Sequence, residues 1–279
     1  MIKKGLFYWI LIPLTLLGKV SLGQPRIVSA NGTLSEIIVG LGLESALVGV
    51  DITSTYPASL NKLPKIGHNR TISTEGILAL NPDIFVYTDQ SAVRPLIVTQ
   101  LKQAGKKVIA FKQEYSLEGT IQLIQEVGDY FKKPQKAALM IKTLKADLAK
   151  IQPTTIKKKL LFVYARGTGT LLVAGKGTSP DKLFEISGNQ NAVTSFSDFK
   201  PLTAESLVLA NPDVLVLFSS GLESLDGNLG LLKVPGVAAT NAGKNKQIIS
   251  MDGQLMTGFG PRLGKAALEL AQKVKTSQN

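Results

Sequence analysis

Short apolar runs alternate with segments of helical periodicity through most of the chain. The runs have the length and composition of buried strands, and the segments between them place apolar residues at helical spacing. In the first half, the predicted strands are residues 27–30, 47–50, 84–87 and 107–111, and the predicted helices are residues 31–41, 74–80, 93–104 and 117–131. Strands and helices in this alternating order predict a parallel sheet with helices on its faces.

One helix-then-strand pattern occurs twice, at residues 71–89 and again at residues 201–218. Glu75 and Glu205 occupy the same place in the two copies, 130 positions apart, in the first turn of the predicted helix. A carboxylate there complements the helix dipole. The period is far longer than that of a solenoid. The repeat therefore predicts two homologous α/β lobes.

A long amphipathic segment separates the two lobes. Residues 134–151 place apolar side chains on one stripe, and about eighteen residues of helix span about 27 Å. The second lobe has predicted strands at 160–164, 170–174, 214–218 and 247–251, and predicted helices at 179–187, 204–210 and 261–274. We therefore predict an α/β fold of two Rossmann-like lobes, each a mainly parallel sheet, with residues 24–132 as the first lobe, 133–152 as the linking helix and 153–279 as the second lobe.

Residues 1–23 have the pattern of a secretory signal peptide. Lys3 and Lys4 precede an apolar stretch, and small residues follow at a cleavage-site spacing. The 279 residues include no cysteine, which leaves no disulfide, no thiolate nucleophile and no site for a lipid anchor. The expected location is the periplasm, without a lipid anchor.

The charge and motif content point away from nucleic acid and from catalysis. The formal net charge is +12, but the lysines are dispersed and residues 157–159 form the only tight basic run. No aromatic-interleaved basic motif accompanies them, so we expect no nucleic-acid partner. The chain has one histidine and no G-x-S-x-G elbow, and the turn at residues 166–169 lacks the third glycine of a dinucleotide fingerprint. We expect a protein that is not an enzyme.

His68 is the only histidine in the chain. It lies in the loop after the second predicted strand, at the sheet edge where α/β lobes bind ligands. Arg70, two positions on, suits a carboxylate, although a surface ion pair is the simpler reading. Glu75 and Glu205 are explained by the helix dipole alone, or they form two equivalent points that a symmetric partner contacts.

The residues around His68 also carry a family resemblance. Residues 49–57 (GVDITSTYP) and 63–83 (LPKIGHNRTISTEGILALNPD) look like the corresponding motif of the periplasmic haem-binding proteins of bacterial haem-uptake ABC transporters. The likeness continues through residues 174–175, 183–192, 201–212, 231–243 and 258–260, and so covers nearly all of the chain after residue 23. The wider superfamily, which includes cobalamin and siderophore carriers, has two α/β lobes joined by one rigid helix.

The resemblance implies a role for several residues. His68 occupies the position of the axial iron ligand, where these relatives usually have a tyrosine, and imidazole is itself a haem ligand. Arg166 matches a place where some relatives carry a second axial histidine, which implies five-coordinate or weakly six-coordinate iron. Arg70 matches an arginine near the haem propionates, and Tyr56 matches an aromatic residue beside the cleft.

The resemblance also implies the partners. Glu75 and Glu205 match an acidic pair that docks on the permease dimer in the inner membrane, the transported ligand is haem b, and an outer-membrane haem receptor system lies upstream. Other interpretations remain open at this stage. They are a cobalamin or ferric-siderophore carrier of the same fold, an exported enzyme that uses the cleft, and a basic protein of the membrane surface.

Overall fold

The structure, a computed structural model, describes residues 24–68, 71–153, 156–169 and 171–276. Its strands are β1 (Ile27–Ser29), β2 (Leu47–Val50), β3 (Ile84–Thr88), β4 (Lys107–Phe111), β5 (Lys159–Ala165), β6 (Leu171–Ala174), β7 (Gln190–Asn191), β8 (Phe199–Pro201), β9 (Val214–Phe218) and β10 (Ile248–Met251). Its helices are α1 (Gly32–Gly40), α2 (Thr74–Ala79), α3 (Pro95–Gln103), α4 (Leu117–Tyr130), α5 (Pro134–Leu148), α6 (Ser179–Ile186), α7 (Ala204–Ala210), α8 (Ser219–Glu223), α9 (Gly227–Leu232), α10 (Asn241–Lys244), α11 (Gly253–Thr257) and α12 (Leu263–Thr276).

The first lobe is built on a parallel sheet with the strand order β2-β1-β3-β4. All three pairings are parallel, and Val28 of β1 lies between Gly49 of β2 and Phe85 of β3. Each strand is joined to the next through a helix, as parallel pairing requires. The strands and helices of this lobe confirm the alternation predicted from the sequence.

The second lobe contains a mixed sheet with the order β10-β9-β5-β6-β8, and β7 pairs with the start of β5. The pairs of β5 with β9 and of β9 with β10 are parallel, whereas β6 runs antiparallel to both β5 and β8. The α/β fold of two sheets with flanking helices is confirmed. The second sheet is less uniformly parallel than we predicted, because the short turn after β5 folds β6 back against it.

A helical layer lies between the two sheets. The largest apolar cluster takes Ile27 and Val86 from the first sheet and Leu160 and Val216 from the second, together with side chains of α1, α4, α5, α6, α11 and α12. Two further clusters cover the outer faces, one under α2 and α3 and one under α7, α9 and α10. The two lobes therefore share one continuous core.

Helix α5 follows the predicted apolar stripe. Ala137, Ile141 and Leu144 are buried, and the helix packs against α4 and α12. Gly264 lets α12 approach closely, because a Cβ atom there would lie 2.3 Å from the Leu144 carbonyl oxygen. The helix ends at Leu148, three residues before the predicted end.

The two copies of the repeat have the same local structure. Ser73 caps α2 and Thr203 caps α7, each through its side-chain oxygen. The asparagines that follow, Asn81 and Asn211, both adopt the left-handed conformation, with φ of 43° and 41°. This agreement confirms the predicted equivalence of residues 71–89 and 201–218.

Some predicted features lie outside the described residues. These are the signal peptide at residues 1–23, Arg70, and Thr170 at the start of the predicted second-lobe strand. Within the ranges that the structure describes, no helix is both long enough and apolar enough to cross a membrane.

Candidate ligand-binding site

A cleft of about 440 Å³ lies between the two lobes, and its walls are made by the loops after the parallel strands. One lining residue follows each of six strands: Asn31 after β1, Asp51 after β2, Gln90 after β3, Gln113 after β4, Ser220 after β9 and Asp252 after β10. The carboxyl ends of parallel strands are the usual ligand-binding edge of open α/β sheets. The volume is in the range of small-molecule and cofactor sites.

His68 lines this cleft from the first lobe. Its backbone is fixed by Thr71, whose hydroxyl accepts from the His68 N–H at 2.8 Å and whose N–H donates to the His68 carbonyl at 2.9 Å. The side chain is 40% exposed, yet its Nδ1 atom is buried and has no hydrogen-bond partner among the described residues. The exposure therefore falls on the rest of the side chain, which includes Nε2.

Asp51 lies behind His68 at the end of β2. Its Oδ2 is 3.9 Å from His68 Nδ1, and its side chain is only 4% exposed. The hydroxyl of Thr53 donates to Oδ2 at 2.5 Å and the hydroxyl of Ser54 donates to Oδ1 at 2.6 Å. These bonds fix the carboxylate beside the histidine.

A polar network forms the floor of the cleft. Asn31 Nδ2 donates to the hydroxyl of Thr88 at 3.1 Å and to Gln113 Oε1 at 3.3 Å. Gln113 Nε2 donates to the Gly258 carbonyl at 2.8 Å, and the Thr33 hydroxyl donates to the same oxygen. Because Gly258 belongs to the second lobe, this network joins the two walls.

Gln254 makes a second connection between the lobes. Its Oε1 accepts from the backbone N–H groups of Thr55 and Tyr56, each at 2.9 Å, and its Nε2 donates to the Gly32 carbonyl at 2.9 Å. Arg262 adds a bidentate pair with Glu36, with both N–O distances at 2.9 Å. Burial raises the pKa of the Glu36 carboxyl, and Arg262 opposes that shift.

The second-lobe wall offers no strong iron ligand opposite His68. Its described lining residues are Phe218, Ser220, Asp252, Gly253, Gln254, Thr257 and Gly258. None carries an imidazole, a phenol or a thioether. Tyr115, on the first-lobe side, lines the cleft as well, and burial raises the pKa of its phenol, which keeps the group neutral.

The structure does not bring all the predicted side chains together. Tyr56 lies in a separate apolar hollow beside α5, where the Arg262 guanidinium stacks 3.6 Å from its ring centre, and it does not line the cleft. The backbone N–H groups of Thr55 and Tyr56 are bonded to Gln254 Oε1, and of these two residues only Thr55 lines the cleft. Arg166 is exposed after β5, with its guanidinium 5.6 Å from the ring centre of Tyr164, and is not among the lining residues.

The described lining of the cleft includes two carboxylates, Asp51 and Asp252, and no lysine or arginine. A cation for an acidic ligand must therefore come from outside this set. Arg70, which we predicted for that role, lies outside the described residues.

Glu75 and Glu205 are not among the residues that line the cleft. Both are exposed in the first turn of their helices, on the outer faces of opposite lobes. Neither has an ion pair among the residues that the structure describes.

Sequence reasoning missed most of the cleft walls, including Asn31, Asp51, Gln113 and Gln254. The first three could have been found, because each lies one or two residues after a predicted strand of a parallel sheet. Gln254 had no such signal, since its contacts are with residues about 200 positions earlier.

The described residues thus form a two-lobed α/β protein with a cleft at the strand ends and a core shared between the lobes. The model of the periplasmic binding protein family matches residues 27–255. The chain belongs to this family, and the family resemblance inferred from the sequence is confirmed.

Several solved structures and curated proteins are similar to this chain. The periplasmic heme-binding protein RhuT from Roseiflexus sp. RS-1, in apo form, has 36% identity and a TM-score of 0.87, covering 92% of this chain and all of that one. The periplasmic heme-binding protein BhuT, in complex with two hemes, has 31% identity and a TM-score of 0.85 over the same shares.

Curated relatives are more distant. An uncharacterized ABC transporter substrate-binding lipoprotein, YvrC of Bacillus subtilis, is 28% identical over 89% of this chain and 79% of its own length. A cobalamin-binding protein of Halobacterium salinarum is 25% identical over 88% of this chain and 68% of its own length.

Proposed function

We propose that this protein binds haem b in the cleft, with His68 as the axial iron ligand, and delivers it to the permease dimer of an ABC transporter without chemical change. The observation that carries the proposal is the placement of the only histidine. It lines the cleft with Nδ1 enclosed and the rest of its ring open. The structures with 31% and 36% identity are named as heme-binding proteins, which supports the ligand class.

The described wall opposite His68 supports a five-coordinate or weakly six-coordinate iron. It offers hydroxyl, carboxylate and amide groups but no second imidazole. Haem iron in proteins is held by histidine, cysteine, methionine or tyrosine. A sixth ligand from this wall is therefore weak, and Arg166 does not supply one.

The haem propionates need cations, because a carboxylate that leaves water requires a fixed partner. Arg70 adjoins His68 in sequence and is the proposed partner. Arg166, at the end of β5, is the second-lobe candidate, and Tyr56 keeps only an indirect role through its contact with Gln254.

Delivery is proposed to use Glu75 and Glu205, one exposed carboxylate on each lobe. A two-fold permease presents two equivalent cationic patches, and charge pairs at an interface rim steer encounter and fix register.

The proposal includes a periplasmic location with residues 1–23 as the signal peptide. It assigns residues 24–132 and 153–279 to the lobes and 133–152 to the linking helix.

A cobalamin or ferric-siderophore carrier is the second candidate. The 25%-identical cobalamin-binding protein of Halobacterium salinarum favours it. Haem and cobalamin both carry a metal at the centre of a tetrapyrrole macrocycle, so one coordinating side chain in the cleft does not by itself separate them.

Parallel titrations of the purified protein with hemin and with cyanocobalamin decide between the two. We expect a saturable Soret shift with hemin at a stoichiometry of one or two, and no saturable binding of cyanocobalamin under the same conditions. Tight cyanocobalamin binding with an unchanged hemin spectrum would establish the second candidate.

A further inference from the structure

The Nδ1 atom of His68 lacks any hydrogen-bond partner in the described structure although it is buried. A buried polar atom without a partner costs free energy, so its placement calls for an explanation. Among the described residues, Asp51 is the only acidic group within 4.0 Å of it, with Oδ2 at 3.9 Å. That distance is beyond hydrogen-bond length.

The Asp51 carboxylate can accept a further hydrogen bond. Its two described hydroxyl donors, Thr53 and Ser54, supply one bond to each oxygen, and each carboxylate oxygen has room for two. Lys65 makes no described ion pair with it, since Lys65 Nζ donates to the carbonyls of Ser54 and Leu60, and the charge of Asp51 only partly offsets the lowering of the Lys65 pKa by burial. The buried carboxylate therefore faces His68 as its only described ion-pair partner.

Backbone hydrogen bonds fix the main chain at His68 and Asp51, so the His68 imidazole is the part that can move. The backbone N–H and carbonyl of His68 are both bonded to Thr71. Asp51 is tied to β1 through its own N–H, which donates to the Ser29 carbonyl at 3.0 Å. Closing the gap from 3.9 Å to hydrogen-bond length thus requires only side-chain torsions of the partly exposed His68.

We propose that Asp51 is a positioning residue for His68, accepting a hydrogen bond from Nδ1–H when Nε2 binds a metal. The inference rests on the proposed function and adds a residue to its site. A carboxylate on the distal nitrogen of a ligating imidazole fixes the tautomer and the ring orientation and makes the imidazole a stronger donor. Because the added negative charge favours Fe³⁺ over Fe²⁺, Asp51 lowers the midpoint potential of the bound haem.

Asp51→Asn tests this inference with readouts that a purely structural role does not change. In the ferrous protein, we expect the iron–histidine stretching frequency to fall and the midpoint potential to rise. Hemin affinity should fall by about 10–100-fold, as for other partners of metal-ligating histidines.

Asp252→Asn is the matched control. It removes the same charge from the opposite wall of the same cleft, and asparagine preserves the cap that Asp252 provides to α11. We expect the iron–histidine frequency to be unchanged in Asp252→Asn. The proposal would be overturned if the iron–histidine frequency were the same in wild type and Asp51→Asn. It would also be overturned if that frequency shifted equally in Asp51→Asn and Asp252→Asn.

A second experiment leaves Asp51 in place and does not depend on the folding of Asp51→Asn. His68→Gly is loaded with hemin and supplemented with imidazole or with 1-methylimidazole, which has no N–H to donate. The quantity compared is the ratio of imidazole affinity to 1-methylimidazole affinity. We expect this ratio to be at least 10-fold larger for the haem–protein complex than for free hemin. Equal relative affinities would contradict the role of Asp51. Failure of wild-type protein to bind hemin at all would instead overturn the proposed function.

Discussion

Glu36 and Arg262 form a buried ion pair between the lobes. The side chains are 9% and 16% exposed, and Arg262 also stacks on Tyr56. Removing one partner of a buried pair leaves an uncompensated charge, which commonly costs several kcal/mol. The pair joins the residue before α12 to α1, and Arg262 also contacts the loop of residues 55–56 through Tyr56.

Arg262→Ala should lower the free energy of unfolding by about 3 kcal/mol at pH 7. Burial already raises the pKa of Glu36, and Arg262 is what lowers it, so the variant has a higher pKa still. An acid with a raised folded-state pKa loses stability as pH rises through that pKa, so the loss in the variant should shrink towards pH 5.

Urea unfolding at the two pH values measures both effects. Lys265→Ala, an exposed change in α12 three positions after Arg262, serves as the control and should stay within about 0.5 kcal/mol of wild type. An equal loss at pH 5 and pH 7 would show that Glu36 does not carry the effect.

Arg70→Ala should weaken hemin binding by on the order of 1–3 kcal/mol while leaving the axial spectrum unchanged, since the described cleft lining has no lysine or arginine to replace it. Isothermal titration at low salt measures the loss. Lys62→Ala, an exposed lysine in the preceding loop, is the control and should bind hemin normally. Wild-type affinity in Arg70→Ala would remove the propionate role.

At this scale the sequence predicted His68 but not its surroundings. A unique histidine that follows a predicted strand can be recognised from the sequence alone. Asp51 and His68 lie seventeen positions apart, and Gln254 bonds the backbone of residues 55–56 from about 200 positions away. Local sequence patterns do not encode contacts between residues so far apart in the chain.

Helices α2 and α7, one from each copy of the repeat, carry the two glutamates of the proposed docking surface. Each begins at a hydroxyl cap and exposes one glutamate in its first turn. The helix-dipole role predicts a loss of only about 0.3–1 kcal/mol when the charge is reversed.

Changing both Glu75 and Glu205 to lysine should therefore leave hemin affinity and folding nearly intact but abolish transfer to permease-containing proteoliposomes. Glu118→Lys is the matched control, because Glu118 is exposed in the first turn of α4 and lies outside the proposed docking points. Wild-type transfer by the folded double variant would rule out docking through these residues.

Element positions were predicted well where periodicity was strong. Strands β2 and β4 match their predicted bounds, and α1, α4 and α6 differ by a residue or two. The missed elements are β7, β8 and α8–α11, all of seven residues or fewer, which are too short to establish a period. The antiparallel direction of β6 was not predictable from alternation, because a strand of either direction has the same pattern.

At the scale of the whole molecule, the lobes share one core and are joined by Gln254, Gln113 and the Glu36–Arg262 pair. We expect thermal unfolding in a single cooperative transition, because neither sheet keeps its inner face covered without the common helical layer. Calorimetry measures this through the ratio of calorimetric to van't Hoff enthalpy. Two separated transitions, one per lobe, would contradict a shared core.

The most direct measurement of the central claim is a hemin titration, followed in the Soret region, of wild type, His68→Ala and His68→Tyr. Wild type should saturate with a histidine-ligated spectrum, and His68→Ala should lose at least about 10-fold in affinity together with the ligand-dependent shift. His68→Tyr should recover binding with a phenolate-type spectrum. A His68→Ala titration that overlays the wild-type curve, with the same spectrum, would contradict the account.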